Sequence, residues 1–255
     1  MNSRTRRTAR LSLVAGGVLL AGVAVAGCGN SDLDDAKPED RAFAFSGQEL
    51  TVDSDDSPLE LVPGDGKDVK VTRWFTGWTI GGSSKSTWEM DGSTLKLRLH
   101  CSGISSNCQS KHRIEVPRGV KVTVKDGNGG VTARGFETDL KISSGNGEVR
   151  VTGATGALDL SSTNGTVTAT GSGARQVRAR SGNGSIRIAL KQVPDQVRTV
   201  NHNGSTRIEL PRAPYKVDVH SGNGSTKVDV PRDDASRHTV SGSSDNGEVQ
   251  VVTAG

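Results

Sequence analysis

The residues of this chain that could carry chemistry are three cysteines and five histidines. Cys28 follows an apolar segment, whereas Cys101 and Cys108 are separated by only six residues. A thiol can be acylated, can form a disulfide, or can bind zinc together with histidine. The histidines are His100, His112, His202, His220 and His238. Their spacing from the cysteines matches none of the usual zinc arrangements, so the sequence predicts no metal site.

Two glycine-rich patterns imitate nucleotide-binding motifs but lack the parts that define them. In residues 222–227 (GNGSTK), Lys227 follows the threonine instead of preceding it, and no helical pattern comes after it. The recurring Gly-Asn-Gly lacks the third glycine and the helix of a dinucleotide fingerprint. The chain also has no HExxH zinc motif and no GxSxG nucleophile elbow. We therefore predict that the protein is not an enzyme and needs no cofactor.

The first 27 residues have the organisation of an export signal. Four arginines between residues 4 and 10 precede an apolar run from Leu11 to Ala26, and small residues follow. The run has 16 residues, fewer than the roughly 20 that a transmembrane helix needs. Thr5-Arg6-Arg7 also fits part of a twin-arginine signal, but the next residues match it poorly. Both export routes stay open.

The end of this segment, Val25-Ala26-Gly27-Cys28, resembles the lipobox of bacterial lipoproteins. The resemblance implies that 1–27 is a lipoprotein signal peptide, that Cys28 receives diacylglycerol, and that cleavage makes Cys28 the mature N-terminus. Two acyl chains hold a protein stably on a bilayer, since each buried methylene contributes about 0.8 kcal/mol. We expect a palmitate-bearing lipoprotein on the outer face of the cytoplasmic membrane. An ordinary secretory signal followed by a chance cysteine is the alternative.

The excess positive charge of the chain lies entirely in the signal segment. The chain has 32 basic and 28 acidic residues, and 1–27 contains four of the basic and none of the acidic ones. The mature chain is therefore neutral, which removes the electrostatic drive toward nucleic acid. The next stretch, 28–41, is polar and acidic and cannot bury enough apolar surface to order itself. We predict that it is a flexible tether behind the lipidated cysteine.

Export also decides the chemistry of the other two cysteines. An exported protein folds in an oxidising compartment, so we predict a disulfide between Cys101 and Cys108. Closing so short a loop stabilises the fold by roughly 2.5 kcal/mol in the chain-entropy model.

Seven Asn-Gly pairs recur through the second half of the chain at steps of 18 to 23 residues. Small polar residues precede each pair, and an alternating run such as EVRV or SIRI follows it. The pairs begin at Asn128, Asn146, Asn164, Asn183, Asn203, Asn223 and Asn246. A period near twenty residues indicates a repeat architecture. Three histidines spaced by 18 residues stand at different distances from these pairs, so we expect the histidines to be scattered over the surface.

Strand-like alternation continues throughout the chain, and no helical period appears after residue 41, so the fold class is all-β. The nearly constant step favours a parallel β-solenoid of about 18–20-residue repeats, in which the asparagines stack as an amide ladder. Asn-Gly is also a strong hairpin signal, so an antiparallel β meander or sandwich is the alternative. We predict an N-terminal β cap region with the disulfide over 42–113 and solenoid repeats over 114–255.

From about residue 45 to its end, the chain resembles the bacterial putative-adhesin domains of unknown function found in cell-envelope lipoproteins. The resemblance rests on the Asn-Gly pair followed by alternating valines, as in NGEVRV from Asn146, and it covers most of the mature chain. It implies a β-helix-like fold, exposure at the cell surface and a role in binding. It names no ligand.

All three tryptophans lie in 73–88, the stretch that lacks the repeat pattern. Trp74, Trp78 and Trp88 stand there among glycines and serines. They could form a stacking platform for a sugar or a peptide, which makes them a possible binding site. They could equally close the open end of the solenoid, because a stacked fold needs a cap.

These observations predict a membrane-anchored extracytoplasmic scaffold for adhesion or interaction, with an unknown envelope or surface partner. One alternative is a polysaccharide-binding or polysaccharide-acting β-helix protein, which would show acidic and basic residues at one repeated, stacked position. Another alternative is an envelope-signalling partner of a membrane protein.

Overall fold

Two β-sheets make up the computed structural model, which describes residues 33–255 except for the side chains of residues 34 and 105–107. Within this range the chain has one 3-10 turn and 21 strands, and no helix is long and apolar enough to cross a bilayer. The predicted signal peptide and Cys28 lie outside the described residues. Ser31–Gly255 forms a self-contained unit. The all-β prediction is confirmed.

The N-terminal part supplies the 3-10 turn and the first seven strands. These are Leu33–Asp35 (3-10), β1 Glu39–Phe43, β2 Glu49–Ser54, β3 Leu59–Gly64, β4 Val69–Ile80, β5 Ser84–Asp91, β6 Thr94–Cys101 and β7 Ile104–Pro117. The rest of the described chain supplies seven pairs of strands, one pair around each Asn-Gly turn. These are β8 Lys121–Asp126, β9 Val131–Arg134, β10 Leu140–Ser144, β11 Val149–Thr152, β12 Leu158–Ser162, β13 Val167–Ser172, β14 Gln176–Asn183, β15 Ile186–Leu190, β16 Gln196–Asn203, β17 Thr206–Leu210, β18 Lys216–Asn223, β19 Thr226–Asp229, β20 Thr239–Asn246 and β21 Val249–Thr253.

Each pair forms one coil of a parallel β-solenoid. Its first strand lies in a ten-stranded sheet and its second strand in an eleven-stranded sheet. Neighbouring coils are parallel and in register, so that Leu140 lies between Val122 and Leu158. The predicted solenoid is therefore confirmed, and the antiparallel alternative is wrong for the repeats.

The interior between the sheets is narrow and lined by medium-sized aliphatic side chains. In β15, Ile186 and Ile188 are fully buried, whereas Arg187 between them is exposed. The same alternation, with a period of two residues, runs through the other coils. Because each coil covers the apolar edge of the next, this interior needs few aromatic residues.

The stack begins earlier than the predicted boundary at residue 114. β2 pairs in parallel with β8, placing Leu50 beside Val122, and β3 pairs in parallel with β9. The turn of this first coil is 55–57 (Asp-Asp-Ser), and Asp56 accepts a hydrogen bond from the Asn128 amide. The periodicity missed this coil because it has no Asn-Gly pair.

The last two coils stack in the reverse of their order in the chain. The β20–β21 coil lies between the β16–β17 coil and the β18–β19 coil. The connection 230–238 leads from the outermost coil back to the β16–β17 coil. Where β20 begins, the Thr239 amide donates to the Asp195 carbonyl at 3.0 Å. In the inserted coil Val251 is fully buried, whereas Val219 of the outer coil is partly exposed. The order thus covers the more apolar coil on both sides.

Strands β4 to β7 extend both sheets at the N-terminal end of the stack. β4 pairs antiparallel with β7 in the eleven-stranded sheet, and β5 pairs antiparallel with β6 in the other. β3 pairs with β7 only from His112 onward, so the first half of β7 projects beyond the coils. A disulfide between Cys101 and Cys108 joins β6 to β7 in this projection. We name the projection, residues 74–88 and 99–111, the distal arm.

Part of the segment predicted to be a flexible tether is ordered. The predicted tether is 28–41, yet β1 begins at Glu39 and pairs antiparallel with β4. Glu39 lies opposite Arg73, whose guanidinium donates to the Glu39 carboxylate at 2.5 Å. The 3-10 turn lies against β4 and β7. The composition argument failed because pairing with a sheet edge orders the backbone without burying apolar side chains.

A column of small polar side chains lines the interior just behind the turns. Ser144 accepts a hydrogen bond from the Gly147 amide at 2.9 Å and donates to the Gly129 carbonyl of the preceding coil at 3.1 Å. The other members of the column are Ser54, Asp126, Ser162, Ser181, Asn201, Ser221 and Ser244. These bonds satisfy backbone groups that the turns would otherwise leave unpaired.

Asp126 is the acidic member of this column. Its carboxyl accepts a hydrogen bond from the Gly129 amide at 2.6 Å, but its Oδ1 has no partner among the described residues. The residue is only 8% exposed. Burial raises the pKa of Asp126 to about 7, in spite of the opposing hydrogen bond from Gly129. Ionisation of this group is therefore costly in the folded state.

Substitutions at an inward and at the neighbouring outward position of β15 should differ strongly in their effect on stability. Ile188→Asp should lower the free energy of unfolding by about 4 kcal/mol or more, because an unpaired carboxylate would enter the aliphatic interior. Arg187→Asp should cost about 1 kcal/mol or less, since it removes only an exposed ion pair with Glu209. Urea unfolding of both variants measures the difference. Equal losses would contradict the assigned faces.

Asp126→Ser should remove a pH dependence of stability. The folded pKa of about 7 lies above the ordinary value of 3.8, so the folded state keeps a proton that the unfolded state releases. The free energy of unfolding of the parent therefore falls as the pH rises from about 4 to 7. The variant should match the parent near pH 4 and exceed it at pH 8 by on the order of 3 kcal/mol. Urea unfolding at both pH values tests this, and Ser144→Asp should introduce the same pH dependence.

Candidate binding surfaces

The asparagines of the Asn-Gly turns form one continuous ladder along an edge of the solenoid. In six of the seven asparagines, Nδ2 donates to the Oδ1 of the asparagine in a neighbouring coil, at distances from 2.5 to 2.9 Å. The Nδ2 of Asn128, the first in the row, donates to the Asp56 carboxylate instead. The order along the stack is Asn128, Asn146, Asn164, Asn183, Asn203, Asn246 and Asn223. Because the amides bond to one another, the ladder is structural and its polar groups are committed within the fold.

The glycine of each pair is required by the close approach of neighbouring coils. A Cβ added at Gly147 would lie 1.8 Å from the carbonyl oxygen of Gly129, and one at Gly165 would lie 2.2 Å from that of Gly147. No side chain fits at these distances. Neither Gly147 nor Gly165 has a positive φ. In this fold the Asn-Gly pair therefore serves the stacking of coils and not the reversal of a hairpin.

The three tryptophans do not share one surface. Trp88 on β5 packs against the core between the sheets, with the Arg73 guanidinium 4.3 Å from its ring centre. Trp74 and Trp78 lie on β4, where alternation places them on the outer face of the other sheet. The Lys111 ammonium is 5.5 Å from the Trp74 ring centre. A common stacking platform is therefore absent, and Trp88 has the position of a capping residue.

Three exposed apolar side chains lie together at the end of the distal arm. Trp78 is 59% exposed, Ile80 56% and Ile104 75%. Ile80 and Ile104 are opposite each other across the β4–β7 pair, and Trp78 precedes Ile80 by two residues. All three therefore project from the same face of the pair. No other large apolar side chain in residues 33–255 is exposed to this degree, and we name these three residues the apolar tip.

One histidine contradicts the prediction of a surface position. His112, at the base of the distal arm, is fully buried, and neither ring nitrogen has a hydrogen-bond partner among the described residues. Burial, together with the nearby Arg73 cation, lowers the pKa of His112 to about 4, so the ring is neutral at neutral pH. His202 is exposed and bonds to the Asp245 carboxylate at 2.8 Å. In the described range, no group of three or more potential ligands could hold a metal ion.

The outer face of the ten-stranded sheet carries charged residues at one repeated position. Lys141, Asp159, Arg178 and Arg198 are register partners in four successive strands, which lie about 4.8 Å apart. Asp159 is paired with Arg180 at 2.9 Å. The other three are exposed and form no ion pair with any described residue. We name Lys141, Arg178 and Arg198 the cation row. Lys141 and Arg178 border a shallow depression on this face.

The carboxylates around this face are not arranged for acid–base chemistry. Asp139 accepts a hydrogen bond from Lys121, which lowers the pKa of Asp139 below its ordinary value. Asp126, whose pKa is raised, faces the interior of the solenoid instead of the surface. Glycoside hydrolysis commonly uses two surface carboxyl groups, one of them with a raised pKa. The described sheet faces do not bring such a pair together.

Comparison with known structures places this architecture among bacterial proteins of the same fold. A protein described as a putative adhesin from Bacteroides fragilis superposes with a TM-score of 0.52 at 12% identity, over 85% of this chain and 97% of its own. Another putative adhesin, from Parabacteroides distasonis, gives a TM-score of 0.51 at 11% identity, over 85% and 98%. At such identities the likeness concerns the fold alone. No curated protein matches the sequence significantly.

The sequence itself gives the stronger relationship. Residues 118–254 match a domain family described as Toastrack DUF4097. This range includes all seven Asn-Gly coils, with their ladder, their stacked glycines and their alternating interior. It covers more than half of the chain, and the resemblance noted from the repeats agrees with it. The chain therefore belongs to the Toastrack DUF4097 family.

Proposed function

We propose that this protein is a lipoprotein anchored through Cys28 on the outer face of the cytoplasmic membrane, where its solenoid binds an acidic envelope or surface polymer. The protein catalyses no reaction in this proposal. The lipobox-like sequence before Cys28 supports the anchor, and the similarity to proteins described as putative adhesins supports a role in binding. By adhesion we mean that the membrane-anchored solenoid attaches to this acidic polymer.

The cation row is the observation that carries the binding part of the proposal. The hydrogen-bonded strands fix the backbone positions of its three cations on one face, so only the side chains lose conformational freedom when a partner binds. A linear polyanion that runs along the stack can contact all three cations, which lie on either side of the Arg180-paired Asp159. Because no described carboxylate pairs with them, they attract a polyanion without first breaking an internal ion pair.

A polysaccharide-acting protein would use the same sheet face, but the described residues of this face lack the pair of carboxyl groups that cleavage requires. The repeated position combines cations with Asp159, as a polysaccharide-directed β-helix would. Asp159 is already paired with Arg180, however, and no second carboxyl with a raised pKa accompanies it on the described surface. The face therefore favours polysaccharide binding over polysaccharide cleavage.

The anchor is tested by substitution of the lipidated cysteine. Cys28→Ala should abolish incorporation of a palmitate analogue and leave an uncleaved precursor, because the thiol is the proposed acceptor of the lipid. Metabolic labelling followed by mass spectrometry of the N-terminus measures both effects. Cys101→Ala with Cys108→Ala is the matched control, since it removes thiols without touching the lipobox. Equal labelling of the Cys28→Ala variant and the parent would rule out this anchor.

The binding face is tested with the unlipidated unit, Ser31–Gly255. It should bind dextran sulfate and not neutral dextran, with an affinity that falls as salt increases. Arg178→Glu with Arg198→Glu should weaken this binding by about tenfold or more, since two charges of the row reverse. Lys191→Glu changes an exposed lysine outside the row and should have little effect. Unchanged binding in the double variant would refute the role of the cation row.

A further inference from the structure

The apolar tip is a second surface, remote in sequence from the cation row and different in chemistry. It combines one tryptophan and two isoleucines on one face of the β4–β7 pair, at the end of the distal arm. Exposed apolar clusters of this kind are costly in water and mark sites of contact with a partner or a membrane. Trp88 and Phe43 already pack in the core, so the tip is not needed to close the end of the stack.

The distal arm is held rigid around this tip. The disulfide between Cys101 and Cys108 joins its two sheets close to the end. The turns at the end lie against each other, since a Cβ added at Gly82 would be 2.0 Å from the carbonyl oxygen of Ser102. The Ser102 amide also donates to the Ser83 carbonyl at 2.9 Å. The apolar side chains are therefore presented in a fixed arrangement.

The electrostatic surroundings of the tip are positive. Residues 69–88 and 92–114 together contain seven lysines and arginines and no aspartate or glutamate. The cations nearer the stack are neutralised by acids from other segments, in the pairs Arg73–Glu39, Lys96–Asp91, Arg98–Asp53 and Arg113–Glu60. Lys85 and Lys111, in the distal arm, form no ion pair with any described residue. The arm thus combines an apolar end with uncompensated positive charge behind it.

The N-terminus of the described chain approaches from the same side. β1 is antiparallel to β4 and begins opposite Arg73, so the residues before Glu39 continue in the direction in which β4 runs toward Trp78. The 3-10 turn Leu33–Asp35 lies against β4 and β7. Only residues 29–32 separate Cys28 from Leu33, and the five Cα–Cα steps between them span at most about 18 Å. A lipid on Cys28 would therefore hold the bilayer within reach of the distal arm.

We propose that the distal arm is a membrane-contacting device that inserts the apolar tip into an anionic bilayer. Trp78, Ile80 and Ile104 enter the boundary between headgroups and acyl chains, where tryptophan is favoured and aliphatic side chains are removed from water. Lys85 and Lys111 lie at headgroup level and attract the lipid phosphates. The position of the arm next to the anchor rests on the proposed lipidation of Cys28, but the affinity of the tip for lipid does not.

A lipid surface fits these observations better than a sugar or a protein partner. Small-ligand sites combine apolar and aromatic side chains with a few polar groups that fix the ligand, whereas the three side chains of the apolar tip offer only apolar groups and the indole N–H of Trp78. A protein hot spot usually fits a complementary pocket and is surrounded by a polar rim that excludes water. The three side chains of the tip are instead largely exposed, with cations and no carboxylate in the arm behind them, as in interfacial membrane anchors.

The test uses the unlipidated unit Ser31–Gly255 and vesicles of two compositions, pure phosphatidylcholine and a mixture with phosphatidylglycerol. Co-sedimentation should show binding to the phosphatidylglycerol vesicles at least tenfold tighter than to phosphatidylcholine, with a blue shift of tryptophan emission. Trp78→Ser with Ile104→Ser should reduce this binding at least tenfold and abolish the shift. Lys85→Glu with Lys111→Glu should reduce binding to the anionic vesicles by a similar factor.

Matched variants separate this proposal from the proposed function. Lys227→Glu at the far end of the stack, and Arg178→Glu with Arg198→Glu on the sheet face, should bind vesicles as the parent does. The changed residues are exposed except Lys111, which is partly buried, and all variants should keep the parental unfolding midpoint. The proposal is overturned if the parent binds neither vesicle, if the tip variant binds as the parent does, or if the tip variant loses only the capture of a protein or a glycan. Failure to label Cys28 would refute the anchor and leave the vesicle result standing.

Discussion

The rest of this structure depends on direct contact between the backbones of neighbouring coils at the Asn-Gly turns. The glycines approach the carbonyls of the preceding coil so closely that a Cβ at Gly165 or Gly184 would lie 2.2 or 2.4 Å from an oxygen. This contact holds the coils at strand spacing on the turn edge, and only then can the asparagine amides reach one another. The register of the strands follows from it, and the steps of 18 to 23 residues between turns differ mainly in the connections outside the paired strands.

The same spacing decides what can occupy the interior. Side chains of consecutive coils stack directly on one another, so aliphatic residues of moderate size fill the space and small hydroxyl groups complete the turn edge. Asp126 departs from this rule at the first Asn-Gly coil, next to the coil whose turn lacks the pair. Its raised pKa is the electrostatic consequence of placing a carboxyl where the other coils place mostly serine.

In a fold of this kind the residues that stabilise the stack differ from those that can bind a partner. Hydrogen bonds and buried aliphatic residues fix the coils, which leaves the outward positions available for interaction. The cation row shows how one repeated outward position can collect charge on a sheet face, with Arg178 and Arg198 in adjacent strands and Lys141 two strands from Arg178. The distal arm lies outside the repeat. Its strands pair antiparallel within each sheet, and a disulfide joins β6 of one sheet to β7 of the other. In our proposals the two surfaces bind different partners, a polyanion on the sheet face and a lipid bilayer at the tip.

The sequence by itself determined the repeat length, the alternation of inward and outward residues, the fold class and the family resemblance, because these follow from local patterns that recur in every coil. It did not reveal the first coil, where 55–57 replaces the Asn-Gly turn, nor the insertion of the C-terminal coil before its predecessor in the stack. The three tryptophans are close together in the sequence, but in the structure Trp88 packs against the core whereas Trp74 and Trp78 lie on the outer face of the other sheet. Tertiary structure decided these points because each depends on which distant segments cover one another, and burial between distant segments leaves no periodic signal in the chain.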